Sequence, residues 1–145
     1  MMTVSSLVSR RDFLAAALLA APALVWPMRA EHQCDHARGA GPHPTPRPGI
    51  DASRVLKESE LKQHPQAIVA FNEVRQIPQI VDGIRCQCGC ANLDGYYSLL
   101  TCYEGETAMA KMCEVCQGQG RHVFQLHRAG KSLDEIRKAI EERYG

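Results

Sequence analysis

Residues 129–136 read Ala-Gly-Lys-Ser-Leu-Asp-Glu-Ile. Gly130 is a helix stop. Ser132 followed three residues later by Glu135 is a capping box that opens the next helix. Leu133, Ile136, Ile140 and Tyr144 then recur at spacings of three and four, so a helix from Leu133 to about Arg143 carries one apolar stripe. Upstream, a second helix is expected from near Thr107 to Ala129, with Gly118 and Gly120 weakening it by about 1 kcal/mol each relative to alanine. Two helices joined at Gly130 make a C-terminal hairpin. The fold class follows: a small, mainly α single domain with this hairpin, a cysteine-rich irregular segment and a disordered N-terminal tail.

Working back from the hairpin, residues 91–106 read as irregular and hold Cys102. Residues 79–85 lead into the cysteine stretch, anchored by Ile80, Val81 and Ile84. A helix is expected from Pro65 to about Gln76, with Ile68, Phe71 and Val74 on its buried face, and Ile77-Pro78 ends it. A shorter helix is expected over Ser53 to Leu61. The chain has no internal repeat, no Gly-rich phosphate loop and no nucleophile–histidine–acid arrangement. Cys113-Glu114-Val115-Cys116-Gln117 lacks the histidine that c-type haem attachment requires.

The N-terminal end bears on the compartment. Ser9-Arg10-Arg11-Asp12-Phe13-Leu14 precedes an apolar run from Ala15 to Trp26. This is the pattern of a twin-arginine (Tat) export signal, taken here as residues 1–30. The run is shorter than the roughly 20 residues that span a bilayer. Cleavage after Ala23 or after Ala30 fits, and no lipobox precedes Cys34, so no stable membrane anchor is expected after cleavage. The expected location is the periplasm, with the Tat translocase as partner during export. That route carries folded proteins, many of them loaded with metal beforehand.

Of the 17 basic and 16 acidic residues, three and one fall in the signal, so residues 31–145 carry 14 and 15. This near balance argues against a nucleic-acid or anionic-membrane partner. Residues 31–50, rich in Pro, Gly and His, read as a disordered linker. His32, Cys34, His36 and His43 within it could catch a soft ion, but a flexible leader is the plainer reading. The domain proper is placed at residues 51–145.

Six cysteines then carry the chemistry: Cys86, Cys88, Cys90, Cys102, Cys113 and Cys116. Alternate side chains on a straight strand stand roughly 6.6 Å apart, whereas thiolates on one zinc all lie about 2.3 Å from it. The segment Cys86–Cys90 must therefore curl, and Gly89 permits that, or else line a site for more than one ion. Cys113 and Cys116 share the apolar stripe of the helix with Met109, Gly120, Val123 or Phe124, and His127. The simplest packing lays the Cys86–Cys90 segment across this stripe, with Cys102 closing the site.

Three classes remain open. Clustered thiolates suit zinc, copper(I) or, less well, an iron–sulfur cluster, with Met109 and His127 as possible further ligands. An exported, cysteine-dense chain also suits a disulfide-stapled structural or interaction domain, although the CxCxC and CxxC clusters are awkward to bridge. A thiol–disulfide oxidoreductase would use Cys113 and Cys116. Its activation prefers a helix N-terminus, and a helix starting near Thr107 puts Cys113 well inside.

Arg85-Cys86-Gln87-Cys88-Gly89-Cys90, Ser98, Cys102-Tyr103, Cys113-x-x-Cys116, Gly130-Lys131-Ser132, Glu135-Ile136-Arg137 and the closing Tyr144-Gly145 together resemble the PCYCGC-motif family of exported bacterial proteins, often lipoproteins. The resemblance covers roughly residues 65–145 and implies a metal-binding or thiol role. Arg85 stands where the motif has proline and Gln87 where it has tyrosine. The histidines usual after the motif are missing from residues 92–97, and a twin-arginine signal replaces the lipid anchor. The part from Cys113 onward is also similar to the thiol reductase of cytochrome c maturation, which lacks the CxCGC segment.

The reading that joins these observations is an exported protein that binds copper(I) or zinc through the six cysteines, for storage, delivery or sensing. A metal-delivery or thiol-exchange protein is the expected partner. No acid–base groups accompany the thiols, which points away from an enzyme.

Overall fold

The computed structural model describes residues 41–89, 92 and 95–145. The hairpin is built as the capping box dictates. Ser132 Oγ accepts from the Glu135 amide at 3.3 Å, and Glu135 accepts from the Ser132 amide at 2.8 Å. Among the described residues four α-helices follow one another: α1 Ile68–Val74, α2 Pro78–Asp82, α3 Glu114–Arg128 and α4 Leu133–Tyr144. Single 3-10 turns stand at Glu58–Glu60, Pro65–Ala67, Leu100–Tyr103 and Met109–Lys111. Among the described residues there is no strand, only an isolated bridge between Val55 and Glu104. No helix among them is long and apolar enough to cross a membrane.

α3 is the central element: α1, α2 and α4 all pack on it. Gly120 explains how α1 comes so close. A Cβ there would collide with Tyr103 Oη and stand 2.8 Å from Val74 Cγ2. The close approach at this glycine is made by two side chains, Tyr103 and Val74. Phe71 of α1 meets the Tyr103 ring edge-on, centroids 4.8 Å apart. On the opposite side, Ile136 and Ile140 of α4 are fully buried and Leu133 and Tyr144 pack at the rim, as their stripe predicts.

Three elements differ from the sequence reading. The helix expected over Ser53 to Leu61 shrinks to the Glu58–Glu60 turn. Val55 and Leu56 are drawn across the domain instead, the Leu56 amide donating to Tyr103 O at 3.2 Å. These buried backbone groups bond across the fold, and that outcompetes a local helix. Second, Pro78 both stops the preceding helix and occupies the first turn of α2, a helix read from sequence as a lead-in. Third, the helix expected from Thr107 begins only at Glu114. Cys113 is extended (φ −94°, ψ 104°), and its amide bonds Met109 O at 3.0 Å.

Part of the presumed linker belongs to the fold. Arg47 grips Asp82 with its guanidinium at 2.6–3.2 Å and its amide at 2.8 Å, and Ser98 Oγ donates to the same fully buried carboxylate at 2.7 Å. His43 Nδ1 accepts from the Arg85 amide at 2.9 Å, and Arg137 Nη2 donates to Pro44 O at 2.8 Å. A polar, proline-rich strap with little to bury is held here by charge and backbone bonds, which apolar periodicity does not reveal. The signal, Cys34, His32, His36, Cys90 and Ala91 lie outside the described residues.

Candidate metal centre

Cys86 and Cys88 follow α2 on a turn, and Cys116 lies in the first turn of α3. Their Sγ atoms form a triangle with sides of 3.0 Å (Cys86–Cys88), 3.3 Å (Cys88–Cys116) and 3.6 Å (Cys86–Cys116). All three residues are fully buried or nearly so. These separations require the curl foreseen in the sequence, and Gly89 supplies a left-handed φ of 87° at its end. The segment does cross α3: the Gln87 amide donates to Gln119 Oε1 at 3.1 Å, one turn beyond Cys116.

With Cys102 and Cys113, five buried cysteines stand among the described residues, no two of them joined by a disulfide. Both stand near enough to the triangle to perturb the Cys88 and Cys116 thiols. Cys102 rides on the Leu100–Tyr103 turn. Cys113 is the N-cap of α3, its Sγ accepting from the Cys116 amide at 3.4 Å. The sequence objection to an activated Cys113 therefore falls, because this thiol sits at the helix N-terminus and not inside the helix. It is also the least covered of the five, at 7% exposure.

The surroundings steer the thiol protons. Hydrogen bonds from Cys102, Cys113, Cys116 and Cys86 hold Cys88 well below the ordinary thiol range, against the effect of burial. The reciprocal bonds, from Cys102 and Cys113 foremost, push Cys116 up. At Cys113 the bond with Cys116 pulls down, but Cys88 and burial prevail and raise it. Burial, then the charge on Cys116, Cys102, Cys86 and Cys113, pushes the Tyr103 phenol well up. It stays a donor, bonding Cys116 O at 2.6 Å.

An ion about 2.3 Å from each of three thiolates stands about 1.3 Å off the plane of the Cys86, Cys88 and Cys116 sulfurs. The triangle can therefore hold a metal ion. Met109 is partly buried on the Met109–Lys111 turn, and His127 is exposed on the far reach of α3. The sequence reading missed Gln119 and Tyr103, the two side chains that fix the cysteine backbones. A glutamine one turn from Cys116, on the apolar face of α3, was the available signal for the first. No family model, curated protein or solved structure matches the chain.

Proposed function

We propose that this is an exported protein that binds a soft metal ion, copper(I) or zinc, through its clustered thiolates, for storage, delivery or sensing. The observation that carries the reading is the buried triangle of Cys86, Cys88 and Cys116, drawn from two distant segments to within 3.0–3.6 Å. Soft thiolates select such ions. The twin-arginine pattern at Ser9–Leu14 supports export, and a route for folded chains allows the site to fill in the cytoplasm. Native mass spectrometry of the exported protein, purified without reductant or added metal, tests the proposal. Added mass of an ion with loss of thiol protons is expected. A mass lowered by two hydrogens per cysteine pair, with no metal, would overturn it in favour of disulfides.

One observation favours a second reading. Cys113 caps α3 and takes the Cys116 amide, as a thiol–disulfide exchange pair would. Against it, Cys116 is fully buried and Cys113 nearly so, so a protein disulfide has little access. If exchange is the function, Cys116→Ser traps mixed disulfides with periplasmic partners. A ligand pair traps none.

A further inference from the structure

The sulfurs of Cys86, Cys88 and Cys116 touch one another along edges of 3.0, 3.3 and 3.6 Å. The size of this triangle discriminates between ions. With bonds of about 2.3 Å, a tetrahedral ion sets its sulfurs about 3.8 Å apart and a planar three-coordinate ion about 4.0 Å apart. Every edge here is shorter than both. Zinc or copper(I) must therefore spread the turn that carries Cys86 and Cys88. An ion with bonds of that length, seated on the triangle as it stands, meets its sulfurs at angles of about 81–103°. That is a steep pyramid near right angles. A trivalent group-15 centre such as arsenic(III) has this shape, because its lone pair fills the open side.

Charge selects the same class. Thiolates withdrawn from water need compensation, and the fully buried described residues include no lysine, arginine or histidine. Three thiolates around copper(I) keep two net negative charges and around zinc keep one, whereas a trivalent centre leaves none. Zinc on three sulfurs also takes a fourth ligand. The three cysteines are covered from solvent, so a neutral complex that needs no water in its shell suits them best.

Resting on the reading of this triangle as a thiolate site, we infer that it takes a further ligand, arsenic(III), supplied as arsenite. Arsenous acid, As(OH)3, reacts with the thiols of Cys86, Cys88 and Cys116. Three As–O bonds break and three As–S bonds form, and each thiol proton leaves with a hydroxide as water. Arsenic stays trivalent throughout, so no oxidant or reductant takes part. Copper(I) or zinc uses the same three sulfurs in a wider arrangement, so arsenite and either metal exclude one another.

The test is anaerobic titration of the reduced full chain with sodium arsenite, glutathione being present as a competing monothiol. Native mass spectrometry and arsenic X-ray absorption read the result. One arsenic per chain in place of three hydrogens is expected, bound by three sulfurs and no oxygen. Cys116→Ser and, separately, Cys86→Ser should each weaken binding by roughly tenfold or more and put an oxygen into the arsenic shell. Arsenic on only two sulfurs of the unaltered chain, or uptake indifferent to both substitutions, would overturn the inference. Zinc(II) and copper(I) are titrated in parallel. Refusal of arsenite where either metal binds would overturn the arsenic site and leave the metal reading standing. Refusal of all three would overturn both.

Discussion

Gln119 Oε1 accepts the Gln87 amide at 3.1 Å, so a fully buried side chain of α3 holds the peptide between Cys86 and Cys88. Nothing else among the described contacts ties the middle of that turn to the helix so directly. Gln119→Leu would leave a buried amide unpaired, at about 1–3 kcal/mol. The turn should loosen and metal affinity should fall although every cysteine remains. Chemical denaturation of the apo chain and competition with a chromophoric chelator would measure the two effects. Unchanged affinity would show that the turn needs no such support.

Gly120→Ala sets two effects against each other. Alanine favours the helix by about 1 kcal/mol, but its Cβ meets Tyr103 Oη and Val74, both fully buried. Overpacking of this kind costs about 1–3 kcal/mol, so net destabilisation is expected. Tyr103→Phe removes the colliding oxygen along with its bond to Cys116 O. The double variant should lose less than the sum of the two single losses. Simple additivity in urea unfolding would contradict the contact.

Acid should weaken the strap in two stages. Burial lowers the His43 pKa, outweighing the pull of Glu141, and Nδ1 is already occupied as an acceptor. The unfolded chain therefore takes up this proton first. The stability from neutral His43 is full above about pH 6.5 and falls away below it. His122, also lowered by burial, adds in the same sense. For Asp82, burial pushes up, but the bonds from Arg47 and Ser98 prevail and hold it low. Its contribution is full above about pH 3.9 and disappears as pH drops through the lower folded value. His43→Asn keeps an acceptor without a titrating ring, and should flatten part of the upper stage in stability measured against pH. An unaltered profile would place that stage elsewhere.

Cys113→Ser and Cys116→Ser should differ in stability. Serine is a better N-cap than cysteine, which offsets part of the cost of placing a hydroxyl at this buried position, so the first should destabilise the apo fold less than the second. The second buries a hydroxyl among sulfurs at a fully covered position, at about 1–3 kcal/mol. Thermal unfolding of both variants without metal would check the order.

The readable parts of the chain were those whose local chemistry acts alone. The capping box at Ser132, the stripe of α4, the curl at Gly89 and the helix through Phe71 needed only spacing and turn chemistry. The misread parts were settled by distant partners. The Leu56 amide donates to Tyr103 O and the Gly105 amide to Arg54 O, bridging Val55 to Glu104, and no periodicity announces that. The start of α3 depends on Cys113 turning its sulfur back to the Cys116 amide, which makes a cysteine act where serine or aspartate is usual. The strap depended on one arginine finding one buried aspartate 35 residues away.

Arg137 on α4 donates to Gly83 O and to Pro44 O, and Glu141 lies 3.2 Å from His43. The earliest described segment and the approach to the cysteine turn are thus pinned by α4, with Pro44 and Arg137 standing 93 positions apart in the chain. Losing α4 would therefore unfasten the strap as well as the hairpin, so one helix locks two regions that share no sequence.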